Sequence, residues 1–444
     1  MIKKMTDVLL FSIYGILWSI IGLILAVFLT LIPGLHVYNV MGFAFLGYLM
    51  FMSSLDPFYF AMFLIGLVVG YSVIFSITSI YLSVPDDSTV YVMYPAQKYL
   101  IHGRGHEAII LMGIGSLVGL FVIVLMLPPA MGTLALIREI VKPHLFWIVG
   151  AVMVYILMSE FPKDVDRGTR GKKLWRGWST LLAGYLTFFL SGLLGIVIFN
   201  STLIPVNMAF QSLSAVFIGM FAVSTLLVQI NTQMKIPKQH YSKSTEVTYE
   251  DMVRGNGAGI LGGFFVTFFP ALTAGVGALL AGHATASKGE RNFILSQGAN
   301  RVLYYVGSVF LFFSVVNVRK GALTIGLNLF IIPERTFELY LVVAAIAITG
   351  ALAFLLLFPL SKLVIKLIES FPYRKISIGA LIIVIVVVFL MTGFMGLVIM
   401  AISTAIGLIP VVFHSRRMNC LAVIIVPIFI NMAGLGAGIG GWFG

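Results

Sequence analysis

The sequence predicts an all-α polytopic membrane protein of roughly 10 to 13 helical segments, some broken or re-entrant, in two related halves. Three observations predict it. First, the 444 residues are 60% hydrophobic and 10% charged, against about 25% charged in a soluble domain, with mean hydropathy +1.07. Second, several apolar runs exceed the roughly 20 residues that span a bilayer core, whereas a β-barrel would show short alternating strands. Third, one such run is interrupted in its middle by "LTLIPGLHVYNVMGF" (29–43), and a similar interruption recurs after the midpoint.

In order, the apolar segments lie near 8–32, 40–52, 57–82, 107–127, 144–160, 177–200, 211–230, 255–283, 299–316, 321–332, 336–360, 376–394, 396–413 and 419–440. The first follows Lys3 and Lys4 and lacks a small-residue cleavage site, so it reads as a retained helix and not a signal peptide. The segments 40–52 and 321–332 are too short for a full crossing and read as half-helices or re-entrant pieces. Segments 376–394 and 396–413 form a hairpin that returns to Arg416 and Arg417, and 419–440 is the last helix. Cys420 is the single cysteine, so no disulfide forms within the chain.

The formal net charge of +12 comes from 28 Lys+Arg against 16 Asp+Glu. Much of the excess sits in the loops 163–177, 361–375 and 414–419. With Lys3 and Lys4, these are expected on the cytoplasmic side of a plasma membrane, N-terminus included, by the positive-inside rule. No zinc-ligand set or RNA-binding signature accompanies the charge, so nucleic acid is excluded as a partner. His102, Arg104 and His106 form no metal site, because no further Cys or acidic cluster completes one. No HExxH, GxSxG or P-loop pattern occurs, so catalytic and metal residues are expected to be none, and no cofactor is expected.

The longest polar stretch, 231–254, divides the chain near its middle. After it, "VTFFPALTAGVGALL" (266–280) aligns with 29–43: Thr30 with Thr267, Pro33 with Pro270, Gly34 with Ala271, Leu35 with Leu272 and His36 with Thr273. More loosely, 71–89 aligns with 304–322. The domains expected are a first repeat (1–160), a basic loop and connecting hairpin (161–230), a second repeat (231–372) and C-terminal helices (373–444).

Pro33 cannot donate a backbone hydrogen bond and Gly34 unwinds easily, so the helix breaks there. Irregular backbone at membrane depth is tolerated where it is buried in protein or lines a watery cavity. Two breaks at matching places point to a transporter's site, and half-helix N-termini offer N–H groups to anions. The substrate-binding residues expected are Pro33, Gly34, His36, Asn39, Pro270, Ala271, Thr273, Asn300, Arg301 and Arg319, the last beside Lys320 at the tip of a short apolar pair. A simple kink in a packed helix is the alternative for each break, and snorkelling at an interface is the alternative for Arg319 and Lys320. Asp86, Asp87, Ser88 and Thr89 are the candidate ligands of a coupling Na⁺ or proton; the alternatives for the two acids are contact with a cationic group and capping of the next segment.

These features resemble the large membrane subunit of the tripartite tricarboxylate transporters, in a divergent archaeal-type single-chain form. The resemblance covers most of the chain and lies in the order of its features. Pro33 and Gly34 match an early Pro-Gly loop; Ser76, Ser79, Pro85, Ser88 and Thr89 match a Ser-rich helix and its following loop. Tyr94, Pro95, Lys98 and Gly105 match a Tyr-Pro pair and a basic stretch; "GMFAVSTLLVQI" (219–230) matches a later helix. Pro270 with Ala271 matches a second Pro-Gly loop, and Ala299 with Asn300 survive from an acidic Asn-Asn signature. The chain departs at Asp86, where the family usually has glycine, at Arg301, where it has its second Asn, at Ser296–Gly298 and at Asn317–Arg319. The resemblance therefore implies the fold and leaves the substrate open.

The function expected is secondary active transport, coupled to Na⁺ or H⁺, of a small organic anion such as a carboxylate, and not an enzyme. The alternatives are a flippase for a phosphorylated or polyprenyl lipid and a membrane-embedded lipid-modifying enzyme using Asp86, Asp87 and His36. Partners are membrane lipids and the anionic solute. A homodimer is allowed, and the resemblance implies a small membrane subunit or an extracytoplasmic binding protein.

Overall fold

A computed structural model describes residues 2–160, 169–201, 203–204, 209–232, 236–242, 245–269, 271–285, 289–314, 321–331, 336–436 and 438. Pro270, Arg319 and Lys320 lie outside the described residues. The described chain is a multi-pass helical membrane protein, with seven helices long and apolar enough to cross a membrane by length and composition. It holds more separate helices than the sequence segments suggest, because several are cut into short pieces.

The first half contains α1 (Ile2–Thr30), α2 (Val37–Phe51), α3 (Pro57–Ile74), α4 (Ser76–Tyr81), α5 (Met93–Ile101) and α6 (Gly105–Val141). Next come α7 (Leu145–Met158), α8 (Arg170–Asn200), α9 (Ala209–Phe217), a π-helical turn at Ile218–Val223 and α10 (Ser224–Asn231). The second half contains α11 (Tyr249–Phe268), α12 (Ala274–Ala284), α13 (Glu290–Val306), α14 (Ser308–Ser314), α15 (Gly321–Phe330) and α16 (Thr336–Ser370). The chain ends with α17 (Tyr373–Val412) and α18 (Ala422–Met432). Thus α1–α6 and α11–α16 follow one order: long helix, break, short helix, helix cut near its end, short helix, long helix.

Close glycine seams join equivalent helices in each half. A Cβ on Gly22 would run into the Phe63 carbonyl where α1 crosses α3, and one on Gly259 into the Ser296 carbonyl where α11 crosses α13. The alignment that sets Thr30 beside Thr267 also sets Gly22 beside Gly259. The alignment of 71–89 with 304–322 likewise sets Phe63 beside Ser296. Both threonines bond back to their own helix, Thr30 to the Ala26 carbonyl (2.6 Å) and Thr267 to that of Gly263 (2.8 Å). The halves also interlock: α3 packs on α16 and α13 on α6.

The two long leading helices start at opposite ends of the bundle. Phe11 in α1 stacks on Phe58 and lies beside Phe337, at the start of α16. Helix α16 then runs about 50 Å, at 1.5 Å per residue. Near its far end, Glu369 accepts from the Gln239 backbone (3.0 Å), and Gln239 in turn holds the Gly105 N–H (2.9 Å). Arg291 lies 3.9 Å from Asp251 in the first turn of α11 and 4.0 Å from Glu107 in the first turn of α6, so α11 starts at this far end.

This geometry corrects the expected topology. The start of α1 lies at the end of the bundle opposite 361–375, so the N-terminus and that loop do not share a face. The described residues flanking the basic loops do gather at one end. Glu160 accepts from the Arg416 N–H (3.0 Å) and Thr180 reaches the Phe413 carbonyl (3.2 Å), so the anchors of the 163–177 loop meet the 414–419 loop. Helix α17 doubles back at Gly393 (φ 65°, ψ −161°): Ser377 near its start bonds Gln229, and Arg417 beyond its end bonds Thr225, one turn away on α10. The segment expected to end at 127 instead continues to Val141 through Pro128 and Pro129, since a proline removes only its own N–H and can bend a helix without ending it.

Candidate functional site

The first break spans Leu31–His36, and helix resumes at Val37. Gly34 takes φ 89°, which a side chain would resist, while Leu35 and His36 are buried. Asn39, expected inside the break, is instead the third residue of α2. Its Oδ1 accepts from the His36 N–H (3.2 Å), while His36 Nδ1 accepts from the Tyr38 N–H (3.3 Å), so the two residues cap the helix. With Nδ1 accepting, the imidazole hydrogen sits on Nε2, 2.8 Å from Asp87 Oδ1.

At the second break the described residues Phe269, Ala271, Leu272 and Thr273 are non-helical, with Ala271 at φ 64°, and helix resumes at Ala274. Thr273 makes no side-chain cap; its hydroxyl donates instead to the Asp87 carbonyl (3.2 Å). The sequence-predicted residues of both breaks therefore meet at one aspartate.

That aspartate belongs to the buried loop between α4 and α5. Asp86 shapes the loop: its Oδ1 accepts from the N–H and hydroxyl of Ser88 (3.0 and 2.6 Å) and from the N–H and hydroxyl of Thr89 (2.9 and 2.8 Å). Asp86 Oδ2 lies 3.1 Å from the Tyr71 hydroxyl, 2.9 Å from that of Tyr305 and 3.6 Å from Arg301 Nη2. Asp87 Oδ2 accepts from Tyr304 (2.9 Å), and Tyr305 also lies 3.3 Å from Asp87 Oδ1.

Helix α13 supplies the opposite wall. Arg301 is fully buried and donates from Nε to Ser88 Oγ (3.0 Å) and from Nη2 to the Tyr71 carbonyl (3.4 Å). Its guanidinium lies over Phe75, with centroid distance 4.7 Å, and beside Tyr71 and Tyr305. One turn earlier, Gln297 donates to the Ser88 carbonyl (2.8 Å), and Asn300 donates to the Ala274 carbonyl (2.6 Å). Arg301, Gln297 and Asn300 thus hold the acidic loop and the start of α12 against α13.

Asp86 and Arg301, two of the departures from the family pattern, face each other across this centre. The structure also brings in Tyr71, Tyr304, Tyr305 and Gln297, which were not singled out as site residues. Their signal was present: Tyr71 and Tyr304 open the two loosely aligned stretches, and Gln297 sits in the altered signature. The cluster is buried, with two carboxylates facing one guanidinium and one imidazole.

The sequence pattern of the "Tripartite tricarboxylate transporter TctA family" matches residues 16–422. An "Uncharacterized protein MJ1079" from Methanocaldococcus jannaschii is 26% identical over 423 residues, covering 93% of this chain and 98% of that protein. No solved structure matches.

Proposed function

The chain belongs to the tripartite tricarboxylate transporter TctA family, and from that premise we propose a secondary active transporter that moves a small organic anion, such as a carboxylate, past the junction of its two broken helices. One observation supports this above the rest. His36 from the first break and Thr273 from the second both bind Asp87, at 2.8 and 3.2 Å, although they come from different halves. A repeat pair running in opposite senses, with its breaks meeting at one buried polar loop, suits alternating access, in which one half rocks against the other.

The coupling ion is Na⁺ or H⁺, and the hydrogen bonding favours the proton. Both Asp86 oxygens already receive donors. The hydroxyls of Ser88 and Thr89 point at Asp86 rather than into an open oxygen cage. A buried charge needs a partner. Arg301 serves Asp86, which leaves His36 and Asp87 to share a proton whose arrival would offset the charge of an incoming anion. The His36–Asp87 pair also meets the acid–base requirement of a lipid-modifying enzyme, but the family is one of transporters and the enzyme reading ranks behind. A second copy of the chain, a small membrane subunit and an extracytoplasmic binding protein are carried as proposed partners, and the plasma membrane as the proposed location.

The test is uptake of radiolabelled citrate, succinate and malate by proteoliposomes under an imposed proton gradient, with and without Na⁺. Accumulation driven by protons alone is expected. Failure to move any of the three under either gradient would refute the transporter reading.

A further inference from the structure

The broken-helix centre lacks a surplus of positive charge, so it is poorly suited to hold a multiply charged anion unaided. The described residues carry a better anion site elsewhere. A cleft of about 990 Å³ opens where the 414–418 loop meets α5, α10 and α13. That volume suits a small solute. Ser83 and Val90, which bracket Asp86 and Asp87 in the acidic loop, also line it.

The cleft's charge is opposite to that of the centre. Arg416, Arg417 and His414 line one wall, and the acid Glu290 on the other is paired with Lys98. The two adjacent arginines are used differently. Arg417 donates to Thr225 Oγ1 (2.7 Å), Ser224 Oγ (2.5 Å) and the carbonyls of Met220 and Phe221 (3.1 Å each), so it holds the π-helical turn in place. Arg416 is tied through its backbone N–H to Glu160, while its Nη1 is buried with no partner among the described residues. Beside it Ser415 is 7% exposed, lines the cleft, and has a hydroxyl without a partner. Buried donors are normally paired, and Ser83 Oγ and Arg417 Nε on the same cleft are likewise buried without a partner among the described residues, so this wall marks a place for an acceptor. Backbone strain gathers here too: Ser83 (φ 52°) and His414 (φ 57°), both in the left-handed region without being glycine, face the same cleft.

Resting on the transporter reading above, we propose that this cleft is the docking station for the solute's carboxylate, with the Arg416 guanidinium and the Ser415 hydroxyl as its donors. Transport then uses two stations. The cleft reads the anion, and the Asp86–Asp87 loop that forms part of its wall carries the coupling. A lipid phosphate presents the same oxyanion chemistry, so the test separates the two sources.

The experiment is calorimetric titration of citrate into the full-length protein in phosphatidylcholine nanodiscs, with citrate uptake measured in parallel. R416Q is expected to weaken citrate binding roughly tenfold to hundredfold, as loss of a charge-assisted hydrogen bond does. R416K, which keeps the charge without the planar fork, should fall between, and this keeps the test open if R416Q folds poorly. Wild-type citrate affinity and uptake in both R416Q and R416K would overturn the cleft assignment and leave the transporter reading standing. A wild type that neither binds nor takes up citrate, succinate or malate would overturn both. If phosphatidylglycerol in the nanodisc blocks citrate binding in the wild type, and R416Q abolishes that lipid effect, the occupant is a lipid phosphate and the solute assignment falls.

Discussion

The two broken helices share a backbone plan and differ in chemistry. In the first half, the residue before the new helix is His36, whose ring caps α2 through one nitrogen and meets Asp87 through the other. In the second, the aligned residue is Thr273, whose side chain makes no cap and donates to the Asp87 backbone carbonyl. One break therefore delivers an ionisable group to the carboxylate, and the other delivers a neutral brace. The repeat keeps a helix break on both sides, while the ionisable side chain is placed on one side alone.

The largest expected effect breaks that asymmetry. Asp87→Asn should abolish proton-driven accumulation while leaving solute exchange across the membrane intact. His36→Asn should do the same, since Asn can still cap α2 but cannot share a proton with Asp87. Counterflow measured beside gradient-driven uptake separates the two activities. If both variants accumulate solute as the wild type does, the first break is no different from the second.

Next comes the pair that holds the centre. Asp86 is 4% exposed and Arg301 is 0% exposed, so removing either leaves the other charge buried and alone. Asp86→Asn or Arg301→Gln should each cost about 3–5 kcal/mol, and the double variant should recover much of that loss. Thermal unfolding in detergent reads the cycle. Additive losses would mean that the two groups are not partners.

Much of this site was legible before any fold was known, and the reasons are local. Pro33 and Gly34 break a helix by their own backbone chemistry, and acids in an apolar chain draw attention because burial is costly. What was not legible depends on distant packing. Arg301 read as a solute-binding cation, and nothing in its own stretch shows that it lies 3.6 Å from Asp86 in the other half. Asn39 read as part of the break because a capping side chain and an unwound residue have the same composition. Ser88 and Thr89 left two roles open, and the hydrogen bonds favour shaping the loop. The expectation that the N-terminus and 361–375 share a face failed because charge counting treats every basic segment alike, whereas Phe11 sits against Phe337 at the end far from Ser370.

The glycine seams test how alike the halves are. Gly22→Ala and Gly259→Ala each push a methyl into a carbonyl of the neighbouring helix. Each should destabilise by roughly 1–3 kcal/mol, the usual cost of overpacking, and the two should match closely. Unequal melting temperatures would show that one half tolerates separation of its leading helices better than the other.

The smallest effect sharpens the role of the second break. Thr273→Val keeps the branched shape and removes one hydrogen bond to the Asp87 carbonyl, a loss of about 0.5–1.5 kcal/mol. Because the threonine caps nothing, α12 should keep its start, and because it carries no proton, the pH dependence of uptake should stay that of the wild type. Only the hold of the second half on the acidic loop loosens, so the variant should change the rate of uptake while leaving its driving ion unchanged. Uptake rates across pH, compared with those of His36→Asn, read this directly. A shifted pH profile in Thr273→Val would mean that the second break also takes part in coupling, and that the chemical difference between the two breaks is smaller than their residues suggest.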